Sequence, residues 1–240
     1  MPVDILLTVV ATSVVQSIFG VGVLLFGTPL LLLFGYNFVD ALGVLLPISI
    51  TISTLQLIRH FQYVDTKLYK NVLIYSIPFI VLFLLLVTAV KINISFLIGV
   101  MLMLVAVKNF STAIEKALQS VVKYEKAYLM MTGLVHGMSN LGGSLLTVMI
   151  YSKRYPKNQT RVTAAACYAT FALCQLATLY IIHSEYSVSY ADKMGFVQVG
   201  VAIFLLIEEV LYSRIDNEKY NKIFAVFLFA SGILLIMKSL

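Results

Sequence analysis

Residues 5–39 read ILLTVVATSVVQSIFGVGVLLFGTPLLLLFGYNFV, a run of 35 positions without one charged side chain. As one straight helix this run would be about 52 Å long, against a hydrocarbon core of roughly 30 Å. It is too long for one membrane crossing and too short for two crossings with a turn, which need roughly 40 apolar residues. Gly20-Val21-Gly22 interrupts it near the middle. The run therefore predicts a re-entrant hairpin, in which two half-length helices enter the bilayer, turn at the glycines and leave by the same face.

A second uncharged stretch spans residues 127–152 and is interrupted by NLGGS at residues 140–144. Non-helical backbone at membrane depth persists only where protein or a water-filled cavity satisfies its polar groups. Each interruption therefore predicts a site in the membrane interior. We name these interruptions the first break (residues 20–22) and the second break (residues 140–144).

The composition sets the class of protein. Hydrophobic residues make up 60% of the chain and charged residues 12%, with a mean hydropathy of +0.96. Soluble domains carry roughly 25% charged residues, so the chain is predicted to be an all-α polytopic membrane protein of one domain. The net charge of +6 does not indicate nucleic-acid binding, because the 17 lysines and arginines lie between apolar segments, as the positive-inside rule expects.

Further apolar segments follow each broken stretch. They are residues 41–58, 71–90 and 92–107 in the first half, and residues 162–182, 194–207 and 223–237 in the second. The sequence therefore predicts two repeats, about 1–118 and 119–240, each with a broken stretch and three plainer segments. Pro47 is expected to kink the first of these plainer segments.

The distribution of lysine and arginine indicates how the segments cross the membrane. If every segment crossed once, the two faces would carry nine and eight basic residues, which is no bias. If both broken stretches return to the face they entered, the faces carry fourteen and three. Only this second arrangement obeys the positive-inside rule. It leaves three full crossings per half, so the halves form an inverted repeat whose hairpin tips are expected to meet near the midplane.

The two breaks favour binding of an anion. A helix that begins after a break leaves N–H groups unpaired and directs the positive end of its dipole into the cavity. Glycine lets a ligand approach the main chain closely, and neighbouring hydroxyls and amides add neutral hydrogen bonds. No lysine or arginine is expected at this depth. The candidate substrate-binding residues are Gln16, Ser17, Gly20, Gly22 and Gln56 in the first repeat, and His136, Ser139, Asn140, Gly142, Gly143, Ser144 and Gln175 in the second.

Two segments resemble a known family. QSIFGVGVLLFGTPL at residues 16–30, followed by Asp40-Ala41, is similar to the glycine-rich opening of the TauE/SafE family of sulfite exporters, and GLVHGMSNLGGS at residues 133–144 looks like its second copy. Val23 and Asn140 depart from the family's glycine pattern. The resemblance covers the whole chain in length, repeat and segment order. It implies transport of sulfite, sulfonates or related sulfur-containing anions without ATP hydrolysis.

Several of these residues also have structural interpretations. Glycines in membrane helices serve as packing contacts, and Gln56 and Gln175 also suit hydrogen bonds between helices. His136 fits a hydrogen-bonded core position better than a proton carrier. Four basic residues are expected to anchor the chain at the membrane interface: Arg59, Lys153, Arg154 and Arg161.

The sequence thus predicts a secondary transporter of a small anion that works by alternating access, with its site between the two hairpin tips. An anion-selective channel, or an ion-coupled carrier of another small solute, is the alternative. No enzyme, metal or cofactor is expected, because the three histidines are scattered and no H-E-x-x-H motif occurs. The expected partners are the anion and the lipid bilayer of a bacterial or archaeal plasma membrane, and a homodimer is left open.

Overall fold

The computed structural model describes residues 1–90, 96, 98–100, 103, 122–153 and 155–211. Over this part of the chain the secondary structure is helical, without a β-strand, as the all-α prediction requires. The α-helices are α1 (Val3–Phe19), α2 (Val23–Leu33), α3 (Phe38–His60), α4 (Thr66–Tyr75), α5 (Ile77–Ala89), α6 (Glu125–Ser139), α7 (Gly142–Ser152), α8 (Lys157–Ile181) and α9 (Tyr190–Leu211). The expected segments at residues 92–107 and 223–237 lie mostly or wholly outside the described residues.

The first uncharged stretch forms two short helices. α1 has 17 residues and α2 has 11, so at ~1.5 Å per residue neither spans a hydrocarbon core of roughly 30 Å. Gly20 ends α1 in the left-handed conformation, with φ of 75°, which glycine adopts without strain. The Tyr36 hydroxyl, beyond α2, donates a hydrogen bond to the Asp4 carboxylate at the start of α1. The two ends of the stretch therefore lie side by side, and the chain turns back at the first break.

The second uncharged stretch folds in a similar way. α6 has 15 residues and α7 has 11. Asn140 ends α6 with φ of 63°, in the same left-handed region that Gly20 occupies. Lys153, just after α7, forms an ion pair of 2.6 Å with Glu125, the first residue of α6. The ends of this stretch also lie together, and the chain turns back at the second break.

Four helical segments of the described chain are long and apolar enough to cross a membrane: Phe38–Tyr63, Thr66–Ala89, Asn158–Ile181 and Tyr190–Ile207. The first and third correspond to α3 and α8, which are mostly buried and pack extensively against each other. The other two leave most of their apolar surface exposed, as contact with lipid requires. α3 continues as one helix through Pro47. Two central helices and two peripheral ones thus form the frame around the hairpins.

Each hairpin packs against peripheral helices of the other half. α1 contacts α9, and α6 contacts α4 and α5. The contact of α6 with α5 is close, because Gly133 and Gly137 face main-chain atoms of Ser76 and Ile80, where an added β-carbon would overlap. Small residues four positions apart permit this approach between membrane helices. The two halves are therefore interlocked around the pair formed by α3 and α8.

Candidate functional site

All twelve candidate substrate-binding residues are buried, and they form one group at each break. The group at the first break, where α1, α2 and α3 meet, comprises Gln16, Ser17, Gly20, Gly22 and Gln56. The group at the second break, where α6, α7 and α8 meet, comprises His136, Ser139, Asn140, Gly142, Gly143, Ser144 and Gln175. Each group joins residues that are distant in the sequence.

Gln16 is the centre of the first break. Its amide oxygen accepts the N–H of Val23, the first residue of α2, at 2.9 Å. Its side-chain NH2 group donates towards the hydroxyls of Ser49 and Ser53 on α3, at 3.2 and 3.1 Å. A buried amide costs little free energy when both of its ends are hydrogen-bonded. Gln16 therefore caps the N-terminus of α2 and links it to α3. Its amide oxygen accepts the Val23 N–H, a group that was expected from the sequence to bind an anion.

Gln56 holds the end of α1. Its side-chain NH2 group donates to the carbonyl oxygens of Gln16 and Ser17, at 3.0 and 3.2 Å. These carbonyls belong to the last turn of α1, where the Gln16 carbonyl also accepts the N–H of Gly20. The amide oxygen of Gln56 is buried and has no hydrogen-bond partner. The first break is thus almost fully saturated, with this one acceptor left open.

Asn140 joins three elements at the second break. Its side-chain NH2 group donates to the Thr28 hydroxyl on α2 at 3.0 Å, and its amide oxygen accepts from the Gln175 side chain on α8 at 2.8 Å. All three residues are buried. The bond to Thr28 connects one hairpin to the other. Because Asn140 also forms the left-handed turn that ends α6, its backbone and its side chain both position this break.

His136 lies one turn before Asn140 and is fully buried among aromatic rings. Its ring centroid is 4.7 Å from that of Phe171 and 5.9 Å from that of Tyr168. Neither ring nitrogen nor the amide oxygen of Gln175 has a partner at hydrogen-bond geometry, and the two side chains lie close enough to interact with each other. A buried polar group without a partner costs about 1–3 kcal/mol. The second break therefore presents open donor and acceptor positions on two adjacent side chains.

Gly142 and Gly143 begin α7 in a tightly packed place. A β-carbon on Gly143 would coincide with the Tyr168 hydroxyl, and one on Gly142 would overlap with α6. The Tyr168 hydroxyl thus lies directly over the first turn of α7, whose N–H groups have no acceptor within the helix. The hydroxyls of Ser139 and Ser144 donate to carbonyl oxygens of their own turns. These two serines satisfy carbonyl groups of their own turns, whereas the glycines let α8 pack closely against the backbone of the break.

Contacts with α8 show how far apart the two breaks lie. A β-carbon on Gly20 would lie 2.5 Å from the carbonyl oxygen of Arg161, near the start of α8. Asn140 contacts Gln175, fourteen residues further along the same helix. At ~1.5 Å per residue this separation is about 21 Å. The two breaks therefore contact α8 at different levels, although Asn140 also reaches Thr28, which lies six residues or about 9 Å beyond Gly22 along α2.

Arg161 is predicted from the sequence to be an interfacial anchor, but the structure buries it. Only 5% of the residue is exposed, and it lies against the first break. Arg59 and Lys153, which are also predicted anchors, are exposed, and Arg154 lies outside the described residues. Arg161 precedes Tyr168 and Gln175 by seven and fourteen residues, a spacing that places all three on one face of a helix. This spacing is the signal in the sequence that places Arg161 on the buried face of α8 rather than at the membrane interface.

Polar contacts close the open end of the second hairpin. The Tyr155 hydroxyl donates to the Asp65 carboxylate before α4, and Glu125 accepts from Asn71 and Lys153, both at 2.6 Å. Burial alone would raise the pKa of the two carboxyls, but these hydrogen bonds outweigh it. The pKa of Asp65 and that of Glu125 are therefore held below their ordinary values. Two ionised carboxylates thus fasten α6 and α7 to α4 at neutral pH.

Comparison with known proteins identifies the family. Within the described residues, no three His, Cys, Asp or Glu side chains are grouped so as to hold a metal ion. No curated protein and no solved structure matches the chain. The family model described as sulfite exporter TauE/SafE matches residues 5–235 of the 240. This family implies an integral membrane transporter of sulfur-containing anions rather than an enzyme. Because the match covers nearly the whole sequence, the chain belongs to the sulfite exporter TauE/SafE family.

Proposed function

We propose that the protein is a secondary transporter that carries a small sulfur-containing anion, sulfite or an organosulfur anion such as a sulfonate or thiosulfate. Membership of the family supports this class of substrate. Four apolar helices of spanning length support a multi-pass location, which we assign to the plasma membrane of a bacterial or archaeal cell. The sequence has no P-loop motif, which favours a carrier driven by gradients over a nucleotide-driven pump.

The proposed architecture is one domain of two inverted repeats, each with a re-entrant hairpin and three crossings. The distribution of basic residues favours this arrangement. Gly20 and Asn140 also support it, because they lie 120 positions apart and share the left-handed conformation. Gln56 and Gln175 lie 119 positions apart, and each donates a side-chain hydrogen bond to the break of its own half. Inverted repeats with broken helices are typical of secondary transporters.

We place the substrate at the second break. The observation that carries this assignment is a set of buried polar atoms without partners, namely both ring nitrogens of His136 and the amide oxygen of Gln175. Native proteins leave few such atoms unsatisfied, and a ligand is one of the ways to satisfy them. At the first break the residue 120 positions before His136 is Gln16, which is hydrogen-bonded at both ends of its amide. The first break also has an open position in the amide oxygen of Gln56, and the larger set of open positions favours the second break.

Groups without a full charge would hold the anion there. A neutral imidazole offers one N–H donor, and the N–H groups of Gly142 and Gly143 belong to the first turn of α7, where the helix dipole favours negative charge. The amide oxygen of Gln175 would accept a hydrogen from an anion that keeps a proton, or from a bridging water. Neutral donors of this kind suit a carrier, because the anion must leave as readily as it enters.

Alternating access would open one end of the molecule at a time. At one end of α3, Asp65 and Glu125 fasten the second hairpin to α4 through their hydrogen bonds. At the other end, the Asp40 carboxylate accepts two hydrogen bonds of 2.6 Å from the main chain and hydroxyl of Ser187, which lies between α8 and α9. We propose that the transporter breaks one of these two sets of contacts in each conformation.

Thermal unfolding of the purified full-length protein tests the site. A ligand that binds only the native state raises stability by RT ln(1 + [L]/Kd), so a millimolar site is visible at tens of millimolar ligand. We would compare sulfite, thiosulfate, taurine, sulfate, chloride and acetate at matched ionic strength. We expect stabilisation by a sulfur anion, its loss in Gln175→Leu and its retention in Gln62→Leu, which replaces an exposed glutamine. Stabilisation that survives Gln175→Leu would move the site elsewhere, and no response to any sulfur anion would refute the substrate class.

Counterflow in proteoliposomes separates a carrier from a channel. A carrier exchanges unlabelled sulfite inside the vesicle for labelled sulfite outside, so label accumulates transiently above its external concentration. A channel gives equilibration without this overshoot. We expect an overshoot, and its absence at a measurable flux would favour the anion-selective channel. Light scattering on the purified protein in detergent reports whether the chain forms a homodimer.

A further inference from the structure

We propose that Thr28, on α2 of the first hairpin, is a further anion-binding residue whose hydroxyl donates a hydrogen bond to the sulfur anion at the second break. Thr28 would thereby add a donor from the first hairpin to a site built mainly by the second, a role that rests on the proposed transport. The residue is fully buried. Within the described chain, its side chain makes one hydrogen bond, which it accepts from Asn140 at 3.0 Å. Its own O–H proton is therefore unused.

Several buried hydroxyls in the two hairpins use their proton within their own helix. Those of Thr12 and Ser17 in α1 donate to the carbonyl oxygen four residues earlier, and that of Ser139 in α6 does the same. This bond is a common way to satisfy a hydroxyl that water does not reach. Buried donors are nearly always paired with protein, water or a ligand. The unused proton of Thr28 therefore favours a partner that is not part of the chain.

Thr28 is the last member of a chain of hydrogen bonds that begins at the second break. The Gln175 amide donates to Asn140 at 2.8 Å, and the Asn140 amide donates in turn to Thr28. All three side chains are buried. Because both bonds point the same way, each group polarises the next, and the O–H at the end of the chain becomes a stronger donor. A polarised donor without a full charge suits an anion that must also be released.

The position of Thr28 allows it to share a ligand with the second break. Only the Asn140 side chain separates the Thr28 hydroxyl from the Gln175 amide, whose oxygen is one of the open positions. A sulfur oxyanion carries several oxygens around one atom, so its different oxygens can accept from donors on both sides of Asn140. The first break has no equivalent of this arrangement, because Gly20, 120 positions before Asn140, has no side chain.

The same contact would couple anion binding to the relative position of the hairpins. Thr28 and Asn140 belong to different hairpins, and a hydrogen bond joins their side chains. An anion that accepts from Thr28 strengthens the bond that Thr28 accepts from Asn140, since hydrogen bonds in a chain reinforce each other. Binding would therefore hold α2 against the second break and favour the conformation in which the site is enclosed.

Transport kinetics of Thr28→Val in proteoliposomes test this role. Valine keeps the shape of threonine without the hydroxyl, so we expect the half-saturating sulfite concentration to rise about tenfold, as the loss of a hydrogen bond to a charged group implies. Thr28→Ser keeps the hydroxyl and should remain close to wild type. Ser13→Ala is the matched control, because Ser13 also has a buried hydroxyl without a partner but faces Gly200 on α9. Wild-type half-saturation in a folded Thr28→Val protein would overturn the proposal.

A double variant separates direct binding from an effect through Asn140. Thr28→Val also leaves the Asn140 amide without its acceptor, so a purely structural Thr28 would matter only while Asn140 is present. We would compare Asn140→Gly with Asn140→Gly/Thr28→Val by the rise in unfolding temperature at one high sulfite concentration, which reports binding even where transport is slow. We expect a smaller rise in the double variant. Equal rises would show that Thr28 acts only through Asn140.

Two further outcomes keep the result decisive. If Thr28→Val does not yield folded protein, Thr28→Cys decides, because a thiol is only a weak donor and wild-type half-saturation in that variant would exclude the proposed bond. If wild-type protein itself shows no saturable sulfite transport, the proposed function fails first. A wild-type protein that transports sulfite, together with an unaffected Thr28→Val, would refute only the role of Thr28.

Discussion

The first and second breaks share a backbone turn and differ in their chemistry. In both, a left-handed residue ends one helix and donates its N–H to the carbonyl four residues earlier, at 2.9 Å. One turn before Gly20, Gln16 uses both ends of its amide in hydrogen bonds. One turn before Asn140, His136 has two ring nitrogens without a partner. The side chain one turn before the break is therefore saturated at Gln16 and open at His136, while the first break keeps one open acceptor in the amide oxygen of Gln56.

We propose that this difference separates a fixed support at the first break from a binding site at the second. A saturated network stabilises the native state without a ligand, whereas open buried groups gain free energy only when a ligand satisfies them. Substitutions at the first break should therefore lower stability, and substitutions at the second break should lower binding. The variants below are ordered by the loss of stability that we expect from each.

Gln16→Leu should cause the largest loss of stability. It removes the acceptor of the Val23 N–H and the donor to Ser49 and Ser53, and a buried group left without a partner costs about 1–3 kcal/mol. We expect at least about 2 kcal/mol in all, measured as a lower unfolding temperature in detergent. Gln62→Leu, at an exposed position, is the control. A Gln16→Leu protein as stable as this control would show that the first break is not held by Gln16.

Asn140→Gly should have a smaller effect on stability. Glycine fits the left-handed turn better than asparagine, but the hydrogen bonds to Thr28 and Gln175 are lost. Each such bond contributes about 0.5–1.5 kcal/mol, so we expect a net loss of about 1 kcal/mol. Sulfite transport should fall much more, since Gln175 loses the contact that orients it. Unchanged transport would mean that Asn140 contributes only the left-handed turn of the backbone.

Acidification should loosen the open end of the second hairpin by a modest amount. The pKa of Asp65 and that of Glu125 are held below their ordinary values, so their stabilising contribution is present above the ordinary carboxyl pKa of about 4. It is lost as pH falls through the lowered values of the folded state. We expect the unfolding temperature of wild type to fall more steeply between pH 6 and pH 3 than that of Asp65→Asn/Glu125→Gln. Parallel curves would show that these carboxylates do not couple pH to stability.

His136→Leu should have the smallest effect on stability, and it is the variant that best distinguishes the roles of the two breaks. The substitution removes two unpartnered nitrogens and keeps an apolar side chain against Phe171 and Tyr168, so we expect a change of less than about 1 kcal/mol in either direction. Sulfite-dependent stabilisation should disappear. A loss of stability comparable to that of Gln16→Leu would mean that His136 is a structural residue and that the two breaks do not differ in role.

Much of the fold follows from local features of the sequence. The length of the first uncharged run and its glycines predict α1 and α2, and NLGGS predicts the separation of α6 from α7. Some boundaries depend on tertiary contacts instead. α6 begins at Glu125, before the uncharged stretch, and this acidic residue is paired there with Lys153. α3 also remains one helix across Pro47.

Some features of the candidate site can likewise be predicted from the sequence, and others are visible only in the structure. Glycines, amides and hydroxyls near each break are visible in the sequence, and all twelve candidates are buried. The sequence does not show that Gln16 is saturated and His136 is open, because saturation depends on partners elsewhere in the chain. It also does not show that the breaks lie at different levels of α8, or that Arg161 is buried between helices.

The sequence by itself determined that the chain is helical, that it belongs in a membrane and that two of its stretches are broken. These properties arise from interactions within a few turns of helix and from the cost of placing charge in hydrocarbon. Each can therefore be recognised from a short stretch of sequence. The tertiary structure alone decided which polar groups find partners. Asn140 reaches Thr28 across 112 positions and Gln16 reaches Ser49 across 33, and only folding brings such groups within hydrogen-bond distance.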